Sequence, residues 1–163
     1  MIAIHTYTDT KFELEITKIR LNMLIDKKEV LYAKYFSTTS TLKEIIVDSG
    51  EKNTDNIAEY IYELYDVNML GTSMSLADEI TFQKENIKKS ENYLNQMTIK
   101  LSKMNGIEYK LYYEIVVKGI GISKAVENIA SEYSKEPRTI WKNYYNKIKS
   151  DIKKLERFIT KNQ

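Results

Sequence analysis

The sequence predicts an all-α fold, on two observations. Only five glycines and one proline occur in 163 residues, so few backbone breakers oppose helix formation. Apolar residues recur at three- and four-residue steps over long stretches, which is the spacing of one helix face. Hydrophobic residues make up 42% of the chain and charged residues 29%. This composition fits one compact domain, or a small domain with an elongated helical arm.

The first helix is predicted to begin near Thr10, because Thr10 and Glu13 have the spacing of a capping box. It should reach about Tyr35. Its inward stripe is predicted from apolar residues at three-, four- and seven-residue steps: Phe12, Ile16, Ile19, Met23 and Val30. The Ser- and Thr-rich residues 36–53 then predict a connector, in which residues 42–47 could form a short ordered segment packed on the core.

A second helix is predicted to begin at a cap, Asn53 or Thr54, and to end near residues 69–71. Three of its apolar residues should face inward: Ile57, Ile61 and Leu64. Its tyrosines cover more than one face, which is more typical of packing than of a ligand site.

The third helix, over about residues 75–104 with Ser73 or Ser75 as its cap, carries the most regular pattern in the chain. Four- and three-residue steps alternate through Leu76, Ile80, Gln83, Ile87, Ser90, Leu94, Met97, Leu101 and Met104. This heptad seam predicts packing against the first helix, against a second copy of the chain, or against both. Residues 1–106 are interpreted as a helical scaffold and oligomerisation region, and we expect a homodimer. The expected oligomerisation residues are Leu76, Ile80, Ile87, Leu94, Met97 and Leu101.

Shorter helices are predicted over residues 107–163. Asn105 and Gly106 end the third helix. A helix over about residues 107–118 should bury Leu111 and Ile115 before two glycines, Gly119 and Gly121, break it. The following helix is expected to have Ser123 as its cap and an inward face formed by Val126, Ile129 and Ala130.

A turn at residues 134–136 precedes the last helix, which should begin at Pro137. Its inward side is predicted to hold Ile140, Tyr144, Ile148, Ile152 and Leu155, and its opposite side holds Arg138, Thr139, Lys142, Asn143, Asn146 and Lys149. Arg and Lys can pair with guanine edges or phosphate, Asn with adenine, and Thr with a thymine methyl group. A helix of this chemistry after a tight turn is typical of docking in the major groove. Residues 107–163 are therefore interpreted as a helix-turn-helix DNA-binding domain.

The charge distribution favours the same region. Residues 1–106 hold 13 basic and 16 acidic residues, a net charge of −3, whereas residues 107–163 hold 12 and 7, a net charge of +5. Residues 134–163 hold 9 basic and 3 acidic residues. Such a patch attracts a polyanion through counterion release, although a solvated lysine-rich helix would show the same count.

Residues 111–155 resemble the region-4-type helix-turn-helix of sigma factors and of the small phage regulators that share it. The residues that carry the resemblance are Ile129, Ala130, Thr139, Ile140 and Trp141. The sequence departs from the pattern in the turn, at Ser134, Lys135 and Glu136. The resemblance implies that the helix from Pro137 is the recognition helix. By the resemblance, the DNA-facing residues are Arg138, Thr139, Trp141, Lys142 and Asn143.

The order of elements along the whole chain resembles prophage regulators of the ArpU and RinA types. This resemblance implies control of late phage genes. We expect a dimer on double-stranded DNA with half-sites about 10 base pairs, or a multiple of that, apart. RNA polymerase or another host protein is a further expected partner. Two alternatives remain from other classes: an anti-CRISPR-like anti-defence inhibitor or adaptor that binds protein, and a recognition subunit of a DNA-packaging machine.

An enzyme is not expected, because the sequence has no Gly-rich phosphate loop and no Cys or Ser nucleophile with a histidine base. The chain has no cysteine and one histidine, His5, so neither a metal site nor a cofactor is expected. Two carboxylate pairs, Asp78 with Glu79 and Asp48 with Glu51, are better explained as caps and solvated faces. With no signal-peptide pattern and no run of 18 apolar residues, we expect a protein without a membrane segment in the cytoplasm, that of the host if a phage encodes it.

Overall fold

The computed structural model describes residues 1–36 and 50–161, and this part of the chain is all-α, as predicted. Six helices follow one another in the described ranges. They are α1 (Ile2–Phe36), α2 (Gly50–Leu64), α3 (Leu76–Lys103), α4 (Ile107–Tyr112, extended by the π-helical turn Tyr113–Val117), α5 (Ile122–Glu132) and α6 (Pro137–Ile140, the π-helical turn Trp141–Tyr145, and Asn146–Lys161). No helix in these ranges combines the length and the apolar run that crossing a bilayer needs.

The chain divides into two compact units. The first unit joins Met1–Glu15 to Lys89–Gln163, and the second unit is Ile16–Lys88. The first unit therefore contains more than the predicted domain of residues 107–163, because the beginning of α1 and the end of α3 supply part of its core. Their buried apolar side chains in this unit are Ile4, Tyr7, Leu14, Leu94, Met97 and Leu101.

The beginning and the inward face of α1 both differ from the prediction. The helix begins at Ile2, so Thr10 and Glu13 do not form a capping box at its start. The predicted inward stripe is wrong, since Ile16, Ile19, Met23 and Val30 are 38%, 38%, 59% and 71% exposed. Phe12 is half-buried and packs edge-on against Phe158, with 4.7 Å between ring centroids. A different stripe points inward, and in the second unit it consists of Leu21, Leu24 and Leu31.

The α2 helix is displaced towards the N-terminus relative to the prediction. It begins at Gly50, within the predicted connector, and it ends at Leu64. The proposed caps Asn53 and Thr54 therefore lie inside the helix, and the segment at residues 42–47 lies outside the described residues. Of the three residues expected inside, only Leu64 is buried, whereas Ile57 and Ile61 are exposed. Leu64 packs in the second unit's core with Leu24, Leu31, Leu76 and Ile80.

The predicted cap and seam of α3 are present. The amide N–H of Asp78 donates to Ser75 Oγ at 3.1 Å, and this hydroxyl donates to Asp78 Oδ2 at 2.6 Å, as expected of an N-cap. The polar seam residue Gln83 is buried and donates to Glu79 Oε1 at 2.7 Å. Five of the six expected oligomerisation residues are buried by the chain itself: Leu76, Ile80, Leu94, Met97 and Leu101. Ile87 is half-buried. These five side chains of the seam therefore pack within the chain.

Candidate nucleic-acid interface

The α4 helix supplies the inner wall on which the last two helices pack. Ile107, Leu111 and Tyr112 are buried, while Ile115, predicted to be inward, is half-buried in the π-helical turn. The helix stops where expected, because Gly119 adopts a left-handed φ of 69° that a glycine accepts without strain. Contacts with α5 and α6 cover the buried side of α4.

The N-cap of α5 lies two residues before the position predicted for it. Gly121, rather than Ser123, is the N-cap, and its carbonyl accepts the amide N–H of Ala125 at 3.0 Å. Among the described residues no side chain caps this end, so the first amide N–H groups of α5 have no capping partner there. The predicted inward face is confirmed, since Val126, Ile129 and Ala130 are buried.

A tight turn joins α5 to α6, and its hydrogen bonds form a Schellman motif. The amide of Lys135 donates to the carbonyl of Ala130 at 2.9 Å, and the amide of Ser134 donates to the carbonyl of Ser131 at 3.3 Å. Ser134 has a φ of 49°, the left-handed conformation for which glycine is usual. Pro137 occupies the start of α6, as predicted.

The inner side of α6 matches the prediction except at one tyrosine. Ile140, Ile148, Ile152 and Leu155 are buried, but the remaining buried position is Tyr145 rather than Tyr144, which is half-buried. The cause is the π-helical turn Trp141–Tyr145, where the amide of Asn146 donates to the carbonyl of Trp141 five residues earlier. The turn moves the inward position by one residue.

The structure places all seven predicted DNA-binding residues at least partly at the surface of α6. Arg138, Trp141, Lys142, Asn143 and Asn146 are exposed, and Thr139 and Lys149 are half-buried. Four of them recur at four-, four- and three-residue steps and continue to an exposed lysine that the prediction omitted, Lys153. We call this set the α6 outer face: Arg138, Lys142, Asn146, Lys149 and Lys153. The sequence signal for Lys153 is the next four-residue step of the same helix period, from Lys149 to Lys153.

The α6 outer face is cationic and locally uncompensated. Between Glu136 and Glu156 the only carboxylate is Asp151, which is 7% exposed and lies against His5. Among the described residues, none of the four basic side chains of the outer face forms an ion pair. Two other lysines of α6 do form one: Lys147 with Glu108, at 3.1 Å, and Lys154 with Asp9. The chain thus neutralises the flanking lysines and leaves the outer face charged.

An aromatic side chain stands beside this cationic surface. Trp141 is 41% exposed, and its indole ring packs on Tyr145 with 4.7 Å between ring centroids and 36° between planes. A cleft of about 300 Å³ opens next to it, between the first turns of α5 and α6. It is lined by Ser123, Val126, Glu127, Pro137, Arg138 and Trp141. Glu127 places one carboxylate at the edge of the cleft, and Glu136 stands exposed just before α6.

Polar contacts beneath the surface hold α1 against α4 and α6 in the first unit. His5 Nδ1 lies 2.7 Å from Asp151 Oδ1. The hydroxyl of Thr8 donates to the carbonyl of Ile4 at 2.9 Å, so the Tyr112 hydroxyl is the donor in its 2.5 Å contact with Thr8 Oγ1. Burial raises the pKa of Tyr112, and its phenol remains neutral at physiological pH. These contacts fix the helix whose outer face is charged.

The two carboxylate pairs of the sequence, Asp78 with Glu79 and Asp48 with Glu51, differ in how far the structure describes them. Asp78 accepts the hydroxyl of Ser75 in the cap of α3, which is the role expected of it. Asp48 and the side chain of Glu51 lie outside the described residues. In the part of the chain that is described, no three carboxylate or imidazole side chains converge as a metal site would require.

Comparisons with known proteins add nothing to this geometry. No family model matches the chain, and neither the curated proteins nor the solved structures include a significant match to it.

Proposed function

We propose that this protein is a sequence-specific DNA-binding transcription regulator of phage type, acting on late genes, and that α6 binds the duplex. The observation that carries the proposal is the α6 outer face, which has four basic side chains without an ion pair among the described residues and no exposed carboxylate between Glu136 and Glu156. Lys and Arg in such an array displace the counterions of DNA.

The first turns of α6 supply chemistry that can read bases. Arg138 and Lys142 can pair with guanine edges, Asn143 can bind adenine bidentately, and the exposed indole of Trp141 can pack on a thymine methyl group or a sugar. In a helix-turn-helix, the N-terminal residues of the second helix enter the major groove. The steps from Arg138 to Lys153 extend the cationic surface along the helix, where it can follow the phosphate backbone.

The α5 helix supports the same docking. Its N-terminus has no capping side chain, and the amide N–H groups there can bind a phosphate oxygen. Lys124, in the first turn of α5, is exposed and has no ion pair within the described residues. The expected geometry is α6 in the groove with the start of α5 against the backbone of the duplex.

The test is a fluorescence anisotropy titration of the full chain against labelled genomic fragments, including its own upstream DNA, at two salt concentrations. We expect the logarithm of the binding constant to fall as the logarithm of the salt concentration rises. Arg138→Ala or Lys142→Ala should weaken specific binding by about 1 to 3 kcal/mol if the side chain reads a base. The matched control is Lys147→Ala, which removes a lysine of the same helix that is paired with Glu108.

Three results would overturn the proposal. One is the absence of binding to any fragment at low salt. A second is wild-type affinity in both the Arg138→Ala and Lys142→Ala variants. The third is an equal loss in the Lys147→Ala control, which would point to net charge rather than to the α6 outer face.

A second candidate function is a protein-binding inhibitor or adaptor, and a cavity in the second unit favours it. The cavity has a volume of about 710 Å³, and three carboxylates line it together with tyrosine and methionine side chains. Glu63 is held by Lys34 and Tyr35, whereas Glu59 is exposed and has no ion pair among the described residues. A basic side chain of a host protein fits such a surface. This candidate predicts that Glu59→Gln abolishes the biological effect while Arg138→Ala leaves it unchanged.

A further inference from the structure

The second unit has an apolar surface that its own core does not use. On α1, the residues Ile16, Ile19, Met23, Asp26, Val30 and Ala33 follow alternating three- and four-residue steps, and we call them the outer stripe. Met23 and Val30, two of its large apolar members, are 59% and 71% exposed. Leu24 and Leu31, on the inward stripe of the same helix, are buried in the core. Among the described residues this second stripe is exposed, and an exposed apolar stripe on a long helix is a candidate surface for packing against another helix.

The seven-residue period of the outer stripe favours another helix as its partner. Ile16, Met23 and Val30 are seven residues apart, and Ile19 falls between the first two at the other core position of a heptad. A seam with this period fits knobs into holes on another helix that has the same period. The other long heptad seam of the chain, on α3, is buried within the chain. The outer stripe of a second copy is therefore the matching surface.

The charges beside the outer stripe are complementary to each other. One flank of the stripe, just before Met23 and Val30, holds Asn22 and Glu29. The other flank follows the remaining core positions directly and holds Arg20, Lys27 and Lys34. In a parallel pair of helices, each residue of the first flank faces the residue five positions later in the partner. Glu29 would then face Lys34, which also forms an ion pair with Glu63 of its own chain, and Asn22 would face Lys27. An antiparallel pair would bring Arg20 and Lys27 of the two copies together, and these repel.

We propose that the chain forms a parallel homodimer through the outer stripe of α1. In a parallel pair the two Asp26 carboxylates face each other in the seam, and their repulsion weakens the pair. This interface does not depend on binding to DNA, and it uses none of the residues in the seam of α3.

Sedimentation equilibrium of the full chain tests the proposal. We expect a wild-type dimer in the micromolar range, and Val30→Glu should raise its dissociation constant by more than about tenfold, because an unpaired charge enters an apolar seam. Asp26→Leu should tighten the dimer by a comparable factor. The matched control is Ile99→Glu on α3, whose side chain is 56% exposed outside the stripe and whose substitution should leave the dimer unchanged. Circular dichroism checks that each variant is folded.

The absence of cysteine gives a direct test of orientation. In a parallel pair Val30 meets its own copy, so Val30→Cys should form an intermolecular disulfide under mild oxidation, whereas Ile99→Cys should not. A monomeric wild type, or a dimer that Val30→Glu leaves intact, overturns the proposed interface. A dimer that Val30→Glu disrupts but that forms no Val30→Cys cross-link overturns the parallel arrangement. Any of these results leaves the DNA-binding proposal to its own titration.

Discussion

Nδ1 of His5, near the start of α1, lies 2.7 Å from Oδ1 of Asp151, a carboxylate of α6. The Oδ2 atom of Asp151 is buried and has no hydrogen-bond partner among the described residues. The contact joins two positions 146 residues apart in the sequence. Within the described ranges, His5 is the one side chain that contacts this carboxylate, and His5 is half-exposed to solvent.

The first prediction concerns this pair. His5→Ala should destabilise the fold by about 1 to 3 kcal/mol, because it leaves a buried carboxylate without its partner. Asp151→Leu in the same background should recover most of the loss, since replacing a buried charge by an apolar group is often neutral or stabilising. Urea denaturation of the single and double variants measures both effects. A double variant no more stable than His5→Ala would contradict the explanation.

The second prediction concerns the turn before α6. Ser134→Gly should stabilise the protein by about 1 kcal/mol, because Ser134 holds a φ of 49° that is strained for a residue with a Cβ. Ser131→Gly is the matched control. It makes the same change in an exposed position of helix α5 and should lower stability by a few tenths to 1 kcal/mol. The midpoint temperatures of thermal unfolding should shift in opposite directions for the two variants. Shifts of the same sign would contradict the proposed strain at Ser134.

The third prediction separates two adjacent tyrosines. Tyr145→Ala should cost about 3 to 5 kcal/mol, as expected for removing a buried aromatic side chain, because Tyr145 is buried in the core of the first unit. Tyr144 is half-buried, so Tyr144→Ala should cost clearly less. Denaturant titrations of both variants compare them. The reverse order would mean that α6 is a regular α-helix at this point.

The fourth prediction uses the single tryptophan of the chain as a probe. Trp141 is exposed beside Arg138 and Lys142, so its fluorescence should change when the chain binds a duplex, and DNA should protect it from acrylamide quenching. Stern–Volmer plots with and without DNA give the result. The tyrosine emission of the Trp141→Phe variant is the control for non-specific effects. Unchanged quenching on a fragment that binds tightly would place the DNA away from the start of α6.

The seam of α3 was predicted correctly because no second apolar stripe with the same regular spacing runs along that helix. On α1 two stripes compete, and the one with the more regular aliphatic residues, such as Met23 and Val30, is the exposed one. The buried stripe was harder to see because polar residues interrupt its seven-residue period, as Lys28 does between Leu24 and Leu31. Helix period alone cannot rank two stripes, since burial depends on which helices are near.

The candidate site was predicted from residue chemistry, and its residues lie at least partly at the surface of α6. The sequence could not show which lysines form ion pairs. Lys142 and Lys147 look equivalent along the chain, yet among the described residues only Lys147 has an ion-pair partner. That partner is Glu108, 39 residues away in the sequence. The cap of α5 was missed for a local reason. Ser123 has the better capping side chain, but Gly121 lies where the backbone turns into the helix.

The wide turn at Trp141–Tyr145 has a consequence for the whole of α6. Ile140 and Ile148 are eight residues apart, and at about 100° per residue a regular helix would leave them about 80° out of line. The π-helical turn absorbs most of that angle, and both side chains are fully buried. Removing one residue from the turn would therefore not shorten α6 harmlessly. It would rotate one end of the helix relative to the other, so that Ile140 and Ile148 could not both stay in the core. The α6 outer face would be divided at the same point.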